Sequence, residues 1–148
     1  MKRTSPLKWI ILASALIGLA DSIYLTWIKL AHRDALCLPG IGDCETVNTS
    51  RYAQILGVPI ALLGALAYLA IILLVLLEDR RVISLSFKKE TCTMAVFGIS
   101  LFGLLYSIYL TYIEIAVLRA VCPFCVISAV AILAIFVANL VRLVKNQE

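Results

Sequence analysis

The chain has 148 residues, of which 63% are apolar and 15% are charged, and its formal net charge is +4. Its mean hydropathy is +1.03. Soluble domains average about 45–50% apolar and about 25% charged residues, so this composition is typical of a membrane protein. The composition excludes a disordered chain, a small secreted disulfide scaffold and a nucleic-acid-binding protein, and the length leaves no room for a further soluble catalytic domain.

Four apolar stretches have the roughly 20 residues that a membrane-spanning helix needs. They are Trp9–Leu30, Gly57–Leu77, Thr93–Ile113 and Cys122–Val141. The first stretch continues too far beyond the basic N-terminus to be a cleavable signal peptide. We therefore expect an all-α membrane protein, a single domain over residues 1–148 built as a bundle of four transmembrane helices.

The positive charges of the connecting segments predict the orientation. Nine Lys and Arg residues lie at the two termini and between the second and third spans, whereas four lie on the other side. Both termini are therefore expected in the cytoplasm. The long loop 31–56 and the short turn 114–121 are expected on the outer side.

The predicted topology separates the five cysteines. Cys37 and Cys44 lie in the outer loop, and Cys122 and Cys125 open the fourth helix at its outer end. Four thiols thus share the side of the membrane on which disulfides persist. Cys92 lies apart from them at the cytoplasmic end of the third helix, and we assign it no role.

An internal repeat relates the two halves of the chain. Residues 18–28 match residues 103–113 at eight of eleven positions, and the same offset of 85 residues carries Cys37 onto Cys122. Each half is interpreted as an outward-going helix followed by a cysteine pair. Within the helices, the shared Gly, Ser and Thr residues are interpreted as small residues that allow close helix packing.

The motif Cys122-Pro123-Phe124-Cys125 stands where a helix begins. Proline favours the first helical position, which makes Cys122 the N-cap and Cys125 the third helical residue. Residues three apart on a helix are neighbours, and the positive end of the helix dipole stabilises a thiolate. The motif also begins an apolar run, so we expect it at the membrane surface within reach of a lipid-soluble electron acceptor.

The pair formed by Cys37 and Cys44 encloses a Pro-Gly turn and a second glycine. Such a segment has little intrinsic rigidity. It can close its own disulfide, or it can bring one thiol to another pair. Because exchange proceeds through mixed disulfides, a mobile pair can relay electrons from an external protein to a fixed pair.

The rest of the outer loop predicts a short helix. Asn48, Thr49 or Ser50 can each serve as its N-cap, and Gly57 is a stop signal. The aromatic and aliphatic residues between these positions give the helix an apolar side. We therefore expect an interfacial helix that lies on the membrane and covers the cysteine site.

Other interpretations of these residues stay open. The four outer cysteines could form two static disulfides that brace the loop, or they could bind zinc in an all-thiolate site. Asp21, near the middle of the first span, could assist proton transfer or be a protonated packing residue. His32 is interpreted as a solvated loop residue, and the aromatic residues near the outer ends of the spans as an interfacial belt.

The order of these motifs resembles the vitamin K epoxide reductase family over nearly the whole chain. The most specific part is Cys44-x-x-Val47-x-x-Ser50, followed by Gly57-Val58-Pro59 and then by Cys122-Pro123-Phe124-Cys125. The resemblance implies a quinone reductase that makes disulfides in a partner protein. It also implies a membrane quinone of the menaquinone, ubiquinone or phylloquinone type as the electron acceptor, without a metal.

The resemblance also implies a role for each matching residue. Cys125 is then the thiolate that faces the quinone, and Cys122 is its resolving partner. Cys44 exchanges with Cys122, while Cys37 meets an external thioredoxin-fold protein. Ser50 hydrogen-bonds near the quinone and the active pair. The positions implied to line the roof of the pocket are Val47, Asn48 and Tyr52.

Two departures from the family pattern refine these expectations. Many prokaryotic relatives carry a fused thioredoxin-like domain. This chain stops at Glu148, so its partner is expected to be a separate protein. Ser128-Ala129-Val130 stands where vertebrate members have Thr-Tyr-Ala, which favours simple quinone reduction over reduction of a vitamin K epoxide. The short loops favour a prokaryotic plasma membrane.

Two rival functions remain at this point. One is an unrelated quinone-dependent thiol oxidase, but in that group the C-x-x-C lies in the first outer loop. The other is a membrane scaffold or carrier that is braced by two static disulfides.

Overall fold

The computed structural model describes residues 6–33, 42–79 and 89–147. It contains four long helices, and each is long and apolar enough to cross a membrane. They are α1 Pro6–Leu30, α3 Ile60–Asp79, α4 Lys89–Tyr112 and α5 Pro123–Gln147. The predicted bundle of four transmembrane helices is confirmed, and the chain is a multi-pass membrane protein.

The helices form a ring in which α1 packs against α3 and α5, and α4 packs against the same two helices. Helices α1 and α4 therefore face each other across the bundle. Large apolar side chains such as Trp9, Leu16, Ile23 and Phe102 are exposed on the outside of the ring. An apolar outer surface is what a helix in lipid requires, since its backbone groups are already satisfied internally.

One end of the bundle, which we call the far end, carries the C-terminus of α3 and the N-terminus of α4. Its core is formed by aliphatic side chains from all four helices, among them Ile11, Ile71, Val96 and Ile135. Buried polar groups link the helices here as well. The Asn139 side-chain amide donates to the Thr93 carbonyl over 3.0 Å. A buried ion pair between Arg142 and Glu78 at 2.6 Å joins α5 to α3.

The opposite end, which we call the cysteine end, is covered by the second part of the outer loop. This part comprises α2 Cys44–Thr49, a 3₁₀ turn Arg51–Ala53, and the strands β1 Gln54–Ile55 and β2 Val58–Pro59. The two strands pair antiparallel. The turn between them has positive φ at both Leu56 and Gly57, which a type I′ hairpin turn requires.

The expected position of the short loop helix is wrong. We expected the helix to begin at residues 48–50 and to end at Gly57, whereas α2 begins at Cys44 and ends at Thr49. Asp43 is the N-cap, and its carboxylate accepts the Thr46 backbone N–H at 3.0 Å. Gly57 is a hairpin turn residue, a role that favours glycine as strongly as a helix end does. That the helix lies on the membrane stays a prediction.

The expected turn over residues 114–121 is also wrong. Helix α4 continues into a π-helical segment, Ile113–Leu118. The segment ends where Arg119 adopts positive φ and the Ala120 N–H donates to the Glu114 carbonyl at 3.0 Å. The third membrane-crossing helix therefore extends to Leu118, about one turn beyond the expected end.

Candidate functional site

The two cysteines of the C-x-x-C motif sit at the start of α5 as predicted. Helix α5 begins at Pro123, and the Val126 N–H donates to the Cys122 carbonyl at 3.2 Å. Cys122 is thus the N-cap, and that prediction is confirmed. Both Cys122 and Cys125 are free thiols. The fixed φ of proline starts the helix directly at the motif, and the first-turn N–H groups of Phe124 and Cys125 donate to the Cys122 sulfur.

The two thiols interact with each other. A hydrogen bond from the Cys125 thiol lowers the pKa of Cys122 below the ordinary value of a thiol, although burial and the nearby Glu114 carboxylate act in the opposite direction. In the reduced pair, therefore, the Cys125 thiol is the hydrogen-bond donor and the Cys122 sulfur is the acceptor. A thiol of lower pKa leaves faster from a mixed disulfide, so this arrangement favours the release of Cys122 in thiol–disulfide exchange.

Glu114 is a site residue that the sequence reasoning missed. Its side chain is 5% exposed, and one carboxylate oxygen accepts the Cys122 backbone N–H at 3.3 Å. The same carboxylate forms a hydrogen bond with the Cys125 thiol. Glu114 is a lone acidic residue inside the apolar run 113–118, and this pattern could have indicated a buried functional carboxylate. The sequence analysis instead placed Glu114 in an outward-facing turn. The π segment that carries it is a feature often found at functional sites.

Cys44 is brought to the same place from the outer loop. It is 1% exposed and forms one buried cluster with Val47, Ala120 and Cys122. Cys44 is disulfide-bonded. Cys37, which is expected to meet the external partner protein, lies outside the residues that the structure describes.

The approach of the loop to α5 depends on Gly42. The Asp43 N–H donates to the Val121 carbonyl at 3.1 Å. Gly42 has φ +85°, and a Cβ there would overlap the Val121 carbonyl oxygen and lie 2.9 Å from Pro123. Only glycine allows the loop to pass this close to the start of α5. Cys44 stands two residues after Gly42 in the chain, and this close approach of the loop explains how Cys44 reaches Cys122.

A cavity of about 500 Å³ lies between the helices at the cysteine end. This volume falls within the range of small-molecule sites, about 300–1,000 Å³. Cys122, Cys125 and Glu114 line it on one side. The roof residues implied by the family resemblance, Val47, Asn48 and Tyr52, also line it, and so does Ser50. The Ser50 hydroxyl donates to the Val47 carbonyl at 2.8 Å.

Lys29 holds the roof of the cavity in place. Its ammonium group donates to the Asn48 carbonyl at 2.8 Å and to the Ala53 carbonyl at 3.2 Å. These two oxygens belong to the end of α2 and to the 3₁₀ turn, where backbone carbonyls lack helical partners. A basic residue near the end of an apolar span was the available signal, but the sequence reasoning counted Lys29 only as a charge.

The inner wall of the cavity is built by close helix contacts. The Tyr68 hydroxyl donates to the Ser128 carbonyl at 2.8 Å, which joins α3 to α5. A Cβ at Gly18 would overlap the Tyr68 ring, so the glycine lets α1 approach this ring. The expectation that the repeat glycines serve packing is consistent with this contact.

The internal repeat also has a structural meaning. Asp21, Ser22 and Leu25 of α1 line the cavity, and so do Tyr106, Ser107 and Leu110 of α4, which are their counterparts at the offset of 85 residues. Since α1 and α4 face each other, the two copies of the repeat form opposite walls of one cavity. The sequence interpretation gave the shared Gly, Ser and Thr residues a packing role and left proton transfer by Asp21 open.

Cys92 is separate from this site. It is buried in the first turn of α4, at the far end of the bundle. The expectation that it stands apart from the other cysteines therefore agrees with its position.

The comparison with known proteins places the chain in a family. The model of the vitamin K epoxide reductase family matches residues 9–140. The chain is 32% identical over 129 residues to the thiol-disulfide oxidoreductase LTO1 of Arabidopsis thaliana. The aligned stretch covers 86% of this chain. It spans 34% of the length of that relative. The chain belongs to the vitamin K epoxide reductase family.

Proposed function

We propose that this protein is a thiol oxidase that passes electrons from a partner protein to a membrane quinone and so supports disulfide formation. The observation that carries the proposal is that one largely apolar cavity in the bundle is lined by a free cysteine pair, Cys122 and Cys125. The buried loop cysteine Cys44 packs against the same pair. The relative LTO1, a thiol-disulfide oxidoreductase by name, supports the thiol chemistry.

The proposed relay has two thiol–disulfide steps. The Cys44 thiolate attacks the Cys122 sulfur of a Cys122–Cys125 disulfide, and Cys125 leaves with the electron pair. Cys37 then attacks Cys44 in the mixed disulfide, which releases Cys122 and closes the loop disulfide. A disulfide at Cys44 beside free Cys122 and Cys125 is the arrangement expected after these steps.

The last step passes two electrons to the quinone. The thiols of Cys122 and Cys125 form a disulfide, and the quinone takes up two electrons and two protons to become a quinol. We propose that Cys125 faces the quinone and that Glu114, which contacts this thiol, accepts its proton. A carboxylate within hydrogen-bond reach of the thiol is the geometry that a general base needs.

The roof of the cavity is proposed to hold the quinone ring. Ser50 would hydrogen-bond near the quinone and the cysteine pair, while Val47, Asn48 and Tyr52 would contact the ring from above. The mostly apolar lining suits a menaquinone, ubiquinone or phylloquinone. The lipid tail would leave the cavity between the helices.

The cellular setting is proposed from the charges and the family. The cysteine end would face the outer side of a prokaryotic plasma membrane, with both termini in the cytoplasm. The partner would be a thioredoxin-fold protein that meets Cys37. The chain would act as one integral membrane domain, 1–148.

The proposal is tested by the quinone-dependent oxidation of a soluble dithiol by purified protein in detergent. We expect Cys125→Ala to abolish quinol formation, because no disulfide can form with Cys122. Cys92→Ala is the matched control, since it removes a buried thiol at the far end. It should retain wild-type turnover. Equal turnover in wild type and Cys125→Ala would contradict the proposal, and no turnover in wild type would favour a scaffold.

A further inference from the structure

A buried carboxyl group lies in the wall of the cavity. Asp21 of α1 is 8% exposed and lines the cavity. Among the residues that the structure describes, neither of its carboxyl oxygens has a hydrogen-bond partner. Ionising an isolated carboxyl inside a bilayer is costly, so the group is expected to hold its proton. A protonated carboxyl has one O–H donor to offer.

Three other polar groups of the cavity wall are engaged by the protein. The hydroxyls of Ser50 and Tyr68 donate to backbone carbonyl oxygens, and the Glu114 carboxylate accepts the N–H of Cys122. Buried polar groups are nearly always hydrogen-bonded, and each exception needs an explanation. A ligand whose oxygen accepts a hydrogen bond from the Asp21 carboxyl would explain this exception.

A quinone brings two such oxygens. They lie on opposite sides of the ring, and each takes up a proton when the quinone becomes a quinol. The cysteine pair and Glu114 reach the cavity from the start of α5 and from the π segment, whereas Asp21 reaches it from α1. When one quinone oxygen lies beside Cys125, the other is directed away from the thiols and needs a different proton donor.

We propose that Asp21 is this donor: its O–H hydrogen-bonds the quinone oxygen remote from the cysteines and transfers its proton as the electrons arrive. This inference rests on the proposed function, since it concerns the quinone step of the same site. The residue would be catalytic, because its carboxyl group touches the reacting oxygen. Thiol exchange between Cys44 and Cys122 does not involve it.

The step balances in atoms and electrons. The Cys122–Cys125 bond forms and two S–H bonds break, which supplies two electrons and two protons. One proton reaches the near oxygen by way of Cys125 and Glu114. Asp21 gives the second proton to the remote oxygen and is left as a carboxylate. The other thiol proton leaves to water, and water reprotonates Asp21, so the net reaction is dithiol plus quinone to disulfide plus quinol.

Two substitutions separate proton donation from binding. Asp21→Asn keeps the shape and a hydrogen-bond donor but has no proton to transfer, whereas Asp21→Leu loses both. With a soluble dithiol and a short-chain menaquinone, we expect Asp21→Asn to lower kcat for quinol formation about 100-fold. Its KM for quinone should stay within about threefold of wild type, because the hydrogen bond is retained. Asp21→Leu should also raise KM about tenfold, the loss of one hydrogen bond.

A matched control and a second readout guard against a folding defect. Thr26→Val removes a buried hydroxyl of α1 that donates to the Ser22 carbonyl within the helix and should retain wild-type kinetics. Thiol exchange with the Cys122–Cys125 disulfide, measured without quinone, should keep its wild-type rate in every variant. Wild-type kcat in Asp21→Asn with intact exchange would overturn the inference and leave the proposed function standing. Failure of the wild-type protein to form quinol would reject both.

Discussion

The two ends of the bundle are built in different ways. At the far end, aliphatic side chains from all four helices fill the interior, and Asn139 and Arg142 join α5 to its neighbours. At the cysteine end, the backbone is irregular, with positive φ at Gly42 and Gly57 among others, a π segment, and a cavity. Departures from ideal local structure collect where a protein does chemistry. The far end therefore supplies stability, and the cysteine end supplies the site.

The comparison predicts that a backbone change at the cysteine end has the largest effect on the relay. Gly42→Ala adds a Cβ that overlaps the Val121 carbonyl, so the loop must withdraw from α5. We expect electron transfer between Cys44 and Cys122 to slow about 100-fold, as a displacement of about 1 Å can cause. The measurement is the rate at which a reduced loop pair reduces the Cys122–Cys125 disulfide.

The chain offers a matched control for this prediction. Gly57 also has positive φ, but a Cβ there would meet nothing within 4 Å. Gly57→Ala therefore strains the backbone at a cost of about 1–3 kcal/mol without pushing the loop away from α5. It should retain most of the transfer rate. Equal losses in the two variants would mean that strain, and not the approach to α5, controls the relay.

A smaller effect is expected when the carboxylate at the cysteine pair is neutralised. Glu114→Gln keeps an acceptor for the Cys122 N–H but removes the proposed proton acceptor of the quinone step, so turnover should fall about tenfold or more. The negative charge of Glu114 raises the pKa of Cys122, so its removal should lower that pKa further. The pH profile of Cys122 alkylation in the reduced protein should shift to lower pH. A shift to higher pH would contradict this electrostatic role.

The smallest effect on turnover is expected at the far end. Asn139→Ala removes the hydrogen bond to the Thr93 carbonyl, and the loss of a buried bond costs about 1–3 kcal/mol. Thermal unfolding in detergent should therefore occur at a lower temperature, while kcat and KM for quinone stay within about twofold of wild type. A large fall in kcat at normal stability would show that the two ends are not independent.

The same division explains what the sequence could predict. The four spans follow from the length of the apolar runs, and the position of Cys122 as N-cap follows from Pro123. These features depend on local chemistry. The start of α2 at Cys44 was missed because Asn48, Thr49 and Ser50 are N-cap residue types as good as Asp43, which caps the helix. Its end was missed because Gly57 suits a hairpin turn as well as a helix end.

The missed site residues depend on contacts between distant segments. Glu114 is a site residue because the π segment turns it toward the start of α5, and Lys29 is one because α2 ends within its reach. The spacing of residues along the chain predicts neither of these two contacts. The three roof residues came from the family resemblance, and the structure places them and Ser50 around the cavity. Their contacts with a quinone stay predictions.

The central claim is that the Cys122–Cys125 pair reduces a quinone in the cavity. The most direct measurement uses the Cys37→Ser/Cys44→Ser variant, whose loop cannot reduce the Cys122–Cys125 disulfide again. The fully reduced variant is mixed with one equivalent of a short-chain menaquinone without oxygen, and quinol and free thiols are counted. The account predicts one quinol per chain, with Cys122 and Cys125 oxidised to a disulfide and Cys92 still free. Quinol formed while both of these thiols still react with maleimide, or no quinol at all, would contradict it.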